Sequence, residues 1–312
     1  MRRCLGIVCL IVLSAAAAWA EEPAATGWKK AADLGINFNQ SAYSNSWAGQ
    51  ENAAIHWTWV ANLDAERQLS PSFNWRNALK LSFGQTHREA RTVGDDGRVE
   101  RAWESPEKST DRIFFETLLR ATLGYLVDPF AGVTFESQFY DPADSLVAGG
   151  PDVRVTRAVH PILLTESAGV GRTLVKDDRA ELYSRLGFAL RQRLQRDVVS
   201  FEPKAFSSRT TTDGGLEWVT DYAQTFGGGG LKYISKLRVF QAFFHSQKDE
   251  LRGLPEEDYW RTPDVAWENT LSASVAKYVQ VSLFLELLYD KEIDLRGRFR
   301  EILGLGLAYK LF

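Results

Sequence analysis

Apolar and polar residues alternate along most of this chain. Twelve stretches carry the period-2 pattern that gives a strand one apolar face and one polar face. They lie near 30–42, 52–65, 73–86, 112–126, 130–140, 162–175, 180–195, 214–226, 231–245, 264–276, 279–290 and 299–312. In the seventh, Leu182, Leu186, Phe188, Leu190 and Leu194 alternate with Glu181, Tyr183, Arg185, Arg191 and Arg193. The sixth is less regular, because Glu166 shares a face with Leu164, Ala168 and Val170, and over Ile162–Val170 pattern alone separates helix from strand poorly. Most stretches exceed ten residues, which is long for a globular strand and suits a tilted bilayer crossing.

The connections are sorted by length. Short ones follow the even-numbered stretches, including Val127-Asp128-Pro129, Lys176–Arg179 and the glycine run 227–230. Longer polar ones follow the odd-numbered stretches, at 43–51, 87–111, 141–161, 196–213, 246–263 and 291–297. Short turns at one end and long loops at the other are the layout of outer-membrane barrels, whereas a soluble β-sandwich has no reason to sort its loops. The expected fold is therefore all-β: a single antiparallel transmembrane β-barrel of about 12 strands, with short periplasmic turns and longer extracellular loops. The last stretch alternates Leu303, Leu305, Leu307, Tyr309 and Leu311 and ends on Phe312. A terminal aromatic strand of this kind is what barrel-assembly machinery reads, so Tyr309 and Phe312 are the expected assembly signal. Leu307 should face lipid, and Gly306→Ser, on the lumen face, should be the milder substitution.

The amino terminus supports export. Arg2 and Arg3 precede an apolar run that ends in Ala18-Trp19-Ala20, a small-x-small cleavage site. Residues 1–20 read as a signal peptide and 21–312 as the barrel domain. Cys4 and Cys9 leave with the signal, so neither disulfides nor cysteine metal sites are expected. Without Arg2 and Arg3 there are 35 basic against 40 acidic side chains, a net charge of −5 that does not suggest nucleic acid. Mean hydropathy is −0.25, and no later segment has about 18 consecutive apolar residues. A barrel escapes that test, since alternate residues face its lumen. The implied partners are outer-membrane lipids, the assembly machinery and a small polar solute of unknown identity.

Charge on the polar faces is the best functional clue. Arg185, Arg191, Arg193, Lys232, Lys236 and Arg238 come from the seventh and ninth stretches, and Glu116, Arg120 and Glu136 from the fourth and fifth. Set across a lumen, these groups would raise a transverse field that tunes ion or solute passage. Alternatively Glu217 and Asp221, on the intervening eighth stretch, pair with the cations and stitch the interior shut. Glu286 completes the charged lining. The segment 95–107, with Trp103, could fold inward as a constriction or extend into solvent. His56 shares a polar face with Thr58, Asn62 and Asp64; it reads as lumen lining, with a catalytic histidine as the remoter reading. His87, His160 and His245 lie too far apart in sequence to show metal-ligand spacing. The glycine run lacks the Lys-Ser/Thr of a phosphate loop.

Several blocks resemble a family of unknown function, best known from the Bacteroidetes and read there as outer-membrane barrels. They are Gly27–Asn52, Ser109–Arg112 (S-T-D-R), Ala158–Pro161 (A-V-H-P) and Asp264–Asp290, which opens D-V-A-W-E-N. The resemblance implies fold and location and brings no catalytic residues and no cofactor. The expectation is a narrow porin-like channel for small polar solutes or ions. A plugged barrel with a structural or surface-interaction role is the alternative, and a barrel-embedded hydrolase a remote one.

Overall fold

The computed structural model describes residues 27–43, 52–93, 99–139, 143–144, 153–154, 159–201 and 204–310. The signal segment 1–20 and Phe312 lie outside the described residues. The described residues form fifteen strands: β1 (Lys29–Ser41), β2 (Ala54–Ser70), β3 (Phe73–Val93), β4 (Val99–Trp103), β5 (Glu107–Ala121), β6 (Asp128–Ser137), β7 (Ala143–Asp144), β8 (Val153–Arg154), β9 (Ile162–Lys176), β10 (Ala180–Phe201), β11 (Lys204–Phe226), β12 (Leu231–His245), β13 (Asp264–Ser274), β14 (Val279–Tyr289) and β15 (Arg298–Lys310). Twelve of them form the wall, in the order β1-β2-β3-β5-β6-β9-β10-β11-β12-β13-β14-β15. The sheet closes where β15 pairs with β1, with Leu34 opposite Tyr309 and Ile36 opposite Leu307. All these pairings are antiparallel. Closure leaves no unpaired sheet edge, which is what a β-structure needs in hydrocarbon.

The alternation sorts to the two faces. Phe188 (72 % exposed) and Leu303 (71 %) point outward with Leu186, Leu305, Leu307 and Trp267, while Arg185, between the outward positions of β10, is 4 % exposed. The outer face thus presents a belt of large apolar side chains far beyond what a water-facing surface carries. Aromatic rings pair on it, Trp57 with Phe83 at 5.9 Å and Trp59 with Phe139 at 5.8 Å. Segment 162–170 is strand, and Glu166 is exposed on the outer face opposite Leu190 and Val133.

Two connections expected as loops are largely strand. β10 and β11 continue pairing as far as Phe201 and Lys204, so 196–213 is a hairpin rather than a loop. β3 runs to Val93 and pairs with β4, so 87–111 is mostly strand as well. At about 3.3 Å per residue these strands far exceed a bilayer crossing. Their outer sequences show no clean period-2 alternation of apolar and polar residues; β-branched runs such as Thr210-Thr211-Thr212 still favour pairing. The β3–β4 hairpin continues the wall, and Trp103 is 52 % exposed, so the described part of 95–107 is not a constriction.

The loop that does turn inward is 246–263. Its Trp260, in a single 3-10 turn (Tyr259–Arg261), is buried against Ala189, Phe240 and Ala242 of the inner wall, with Leu251 beside it. On the short-turn side, the Asp177 carboxylate accepts hydrogen bonds from the Arg179 and Ala180 amides, both at 2.7 Å, and these hold its pKa below the usual aspartate range. One expectation about the closing strand fails. A Cβ on Gly306 would overlap the carbonyl oxygen of Ile36, so Gly306→Ser is not a mild change: β15 approaches β1 too closely there.

Candidate functional site

The lumen is crossed at its centre by ion pairs. Arg112 on β5 donates to Glu268 on β13 at 2.6 Å. These strands stand six places apart in a ring of twelve, so the bond spans the barrel's diameter. Lys80 on β3 approaches the same carboxylate at 3.7 Å, and Glu136 on β6 takes Arg112 at 3.5 Å and also bonds Arg238 on β12. A second knot lies beside it. Glu116 bonds Arg185 and, at 2.6 Å, Lys236; Asp221 takes the same two cations at 3.7 and 3.1 Å. Glu217 is 3.9 Å from Arg238. Phe114, among the most buried side chains of the chain, sits between these groups. Arg112, Lys80, Lys236 and Arg238 all lie 5.0–5.7 Å from its ring centre, within cation–π range.

This layer, a septum, is electrically balanced. Lys80, Arg112, Arg185, Lys236 and Arg238 face Glu116, Glu136, Glu217, Asp221 and Glu268. Burying charge is tolerable only when it is paired, and here each charge has a partner. The open gap with a transverse field, expected between the two sets, is absent: cations from β10 and β12 reach the acids of β5 and β6 directly. Asp221 and, more distantly, Glu217 join them.

The loop end has its own cluster. Arg191 bonds Asp264 and lies 3.6 Å from Asp213; Arg193 is 3.3 Å from Asp290. His245 Nδ1 shares a 2.6 Å hydrogen bond with Asp213, and Glu292 lies 3.9 Å from the same nitrogen. Trp260 stacks on His245 with ring centres 5.9 Å apart and planes 17° from parallel. Burial and the nearby Asp213 carboxylate push the pKa of Glu292 up. Beside this cluster lies a cavity of about 420 Å³, bordered by Leu251 and Tyr259 from the inward loop and by Arg193 and Thr211 from the wall. The short-turn end holds a larger cavity of about 670 Å³. There Arg120 donates to Asn74 at 2.7 Å, lies 3.6 Å from Glu66 and stacks over Tyr183 at 4.9 Å.

The predicted lining residues divide among these layers. Glu116, Glu136, Arg185, Glu217, Asp221, Lys236 and Arg238 form the septum. Arg191 and Arg193 belong to the loop end, and Arg120 to the short-turn end. Glu286 pairs with Arg300 on the adjoining strand at 2.7 Å. Lys232 is exposed near the short turn and joins none of these ion pairs. His56 shares hydrogen bonds with Thr86 (2.8 Å) and Thr58 (3.3 Å); no serine or carboxylate among the described residues pairs with it. Tyr309 lies in the closing pairing opposite Leu34. The central pair itself, Arg112 and Glu268, was not singled out by sequence, nor was Lys80. Their signal was position: Arg112 ends the S-T-D-R block and Glu268 lies in D-V-A-W-E-N, so two blocks distant in sequence meet in mid-lumen. Asp213, His245 and Glu292 were also missed as a group, because 32 and 47 residues separate them.

A family described as "Protein of unknown function (DUF3078)" matches residues 38–142 of this 312-residue chain. That span includes S-T-D-R and part of the amino-terminal block; A-V-H-P and D-V-A-W-E-N lie beyond it. No curated protein matches the chain. Among solved structures, the chain is similar to the translocator domain of the autotransporter NalP from Neisseria meningitidis, at 8 % identity over 91 % of this chain and 88 % of that one, with a TM-score of 0.37. It is also similar to an outer-membrane channel from Pseudomonas putida F1, at 12 % identity over 93 % and 96 %, with a TM-score of 0.39. At these scores the likeness reaches neither the lumen nor its chemistry.

Proposed function

We propose that this chain is a barrel of the bacterial outer membrane that acts as a narrow channel for small ions or polar solutes and rests closed. The apolar belt and closed sheet suit a bilayer. The basic start and apolar run of residues 1–20 would suit export, and the alternating strand β15 would suit delivery by barrel-assembly machinery into outer-membrane lipid. The observation that carries the channel reading is the chemistry of the closure. A lumen that only had to be filled would be filled at least as stably by apolar side chains, since a buried ion pair gains little over a hydrophobic isostere. Here the filling is ionic and made mostly of side-chain tips, with polar cavities at both ends. Side chains change rotamer far faster than folded chain rearranges, so exchanging ion-pair partners admits water and small solutes without refolding the wall.

A second reading is favoured by Trp260. An inward loop seated on the inner wall suits a permanently plugged barrel with a structural or surface-interaction role. Planar-bilayer recording on refolded protein separates the two. The channel reading expects small, brief openings in the native protein and larger ones when Arg112 and Glu268 are both changed to Gln. A barrel that inserts and stays silent in both forms belongs to the plugged reading.

A further inference from the structure

We propose that His245, Asp213 and Glu292 form a binding site for a divalent transition-metal cation of the Zn²⁺ class at the loop end of the lumen. One imidazole nitrogen and two carboxylates are a ligand set that Zn²⁺ accepts readily, with the fourth position left for water. Their ligand atoms all lie within 4.8 Å of one another. In a tetrahedral site with bonds of about 2.0–2.1 Å, neighbouring ligand atoms stand roughly 3.4 Å apart. The 2.6 Å contact between His245 and Asp213 must therefore open by about 0.8 Å, and the 3.9 Å contact to Glu292 must close by about 0.5 Å. Both are side-chain adjustments.

Charge supplies an independent reason. The ion-paired cluster at this end holds four carboxylates, Asp213, Asp264, Asp290 and Glu292, against only two guanidiniums, Arg191 and Arg193. With His245 neutral, as a ligand must be, the carboxylates of this ion-paired cluster outnumber its guanidiniums by two, an excess of negative charge that favours a cation. The septum below is already balanced and has no such need. Arg209, bonded to Gln247, and Lys291, over the ring of Tyr259, carry further positive charge at this end, and Glu256 a further negative one, but none of the three is ion-paired to the ligand carboxylates. The site is also built rather than incidental. His245 and Asp213 are buried on the wall, Trp260 fixes the plane of the imidazole, and the adjoining 420 Å³ cavity leaves room for a metal-bound water. Loading would tie loop 290–297, through Glu292, to the middle of β11 and the end of β12.

The test is titration of full-length refolded protein in detergent with Zn²⁺ alone, in a non-chelating buffer, followed by calorimetry. Co²⁺ serves as a spectroscopic substitute, since four-coordinate Co²⁺ absorbs strongly in the visible. The proposal expects one Zn²⁺ per chain at micromolar concentration, no displacement by equimolar Mg²⁺ or Ca²⁺, and a four-coordinate Co²⁺ spectrum. His245→Asn and Glu292→Gln should each weaken Zn²⁺ binding by more than about tenfold, with the shift between unboiled and boiled gel mobility reporting that the barrel is intact. Native protein that takes up no Zn²⁺, or a folded His245→Asn that binds as the native chain does, overturns it. Should His245→Asn fail to fold, the loop variant Glu292→Gln decides, and undiminished binding there overturns the proposal equally.

Discussion

The two ends of this lumen are closed by different means. At the short-turn end, five tight connections among the described residues join neighbouring strands, and a cavity of about 670 Å³ opens below the septum. At the loop end, a folded segment enters the barrel, seats Trp260 on Ala189, Phe240 and Ala242, and leaves a smaller, acid-rich cavity. The first closure is made of side chains and the second of chain. Side chains can exchange partners one at a time; a seated loop must leave as a unit. On the channel reading proposed above, the septum would suit selection among small solutes, and the loop an all-or-none gate worked from the loop side.

The sharpest way to break this contrast is to remove the loop. Replacing 249–261, Trp260 included, with a short Gly-Ser link should raise single-channel conductance at least several-fold, because among the described residues the septum is then the remaining obstruction. Conductance unchanged from the native level would mean that the septum alone closes the barrel and that the ends do not differ as gates.

A second experiment acts on the septum. Glu268→Gln leaves Arg112 and Lys80 short of a buried partner, and breaking such a pair costs about 3–5 kcal/mol. Denaturant unfolding should show a loss of that order. Changing Arg112 to Gln as well should restore part of it, because the two residues act as a unit. Additive losses would mean that the pair does not couple across the lumen.

The wall common to both ends supplies the next test. Leu307→Arg places a cation on the apolar belt, with an expected cost of about 2–4 kcal/mol if Leu307 sits near the bilayer midplane. Gly306→Ser should impair assembly at least as much, through its overlap with Ile36. Gel-shift assays on both variants would show it, and normal assembly of Gly306→Ser would mean that β15 has room to move from β1. The smallest effect belongs to the β3–β4 hairpin: Trp103→Ala should change stability by no more than about 0.5 kcal/mol and leave conductance untouched, because Trp103 stands in solvent away from the lumen.

Much of the wall was legible in sequence, because a sheet with hydrocarbon on one side and a polar lumen on the other writes a period-2 signal into every crossing. Where strands continue into water the signal stops, which is why the outer reaches of β3, β10 and β11 read as loops. Residues at the site were half legible. Glu116, Arg185 and Lys236 announce themselves as charges on a polar face, but which charge meets which depends on register and strand tilt around a closed ring, and those are global properties. Arg112 and Glu268 lie 156 residues apart and meet only because β5 and β13 face one another. Trp260, between Tyr259 and Arg261 in a turn-rich stretch, carries no periodic mark of its inward course.

The balance of the septum matters to the bilayer that carries it. An unobstructed barrel is a leak, and the number of copies a membrane tolerates is limited by the small metabolites and ion gradients it would lose. A septum whose charges cancel by contact needs no counter-ions of its own and, on the channel reading proposed above, would stand shut without a bound regulator. If the barrel rests closed as proposed, its abundance would be limited by space in the membrane rather than by permeability, and a cell could make many copies and open few.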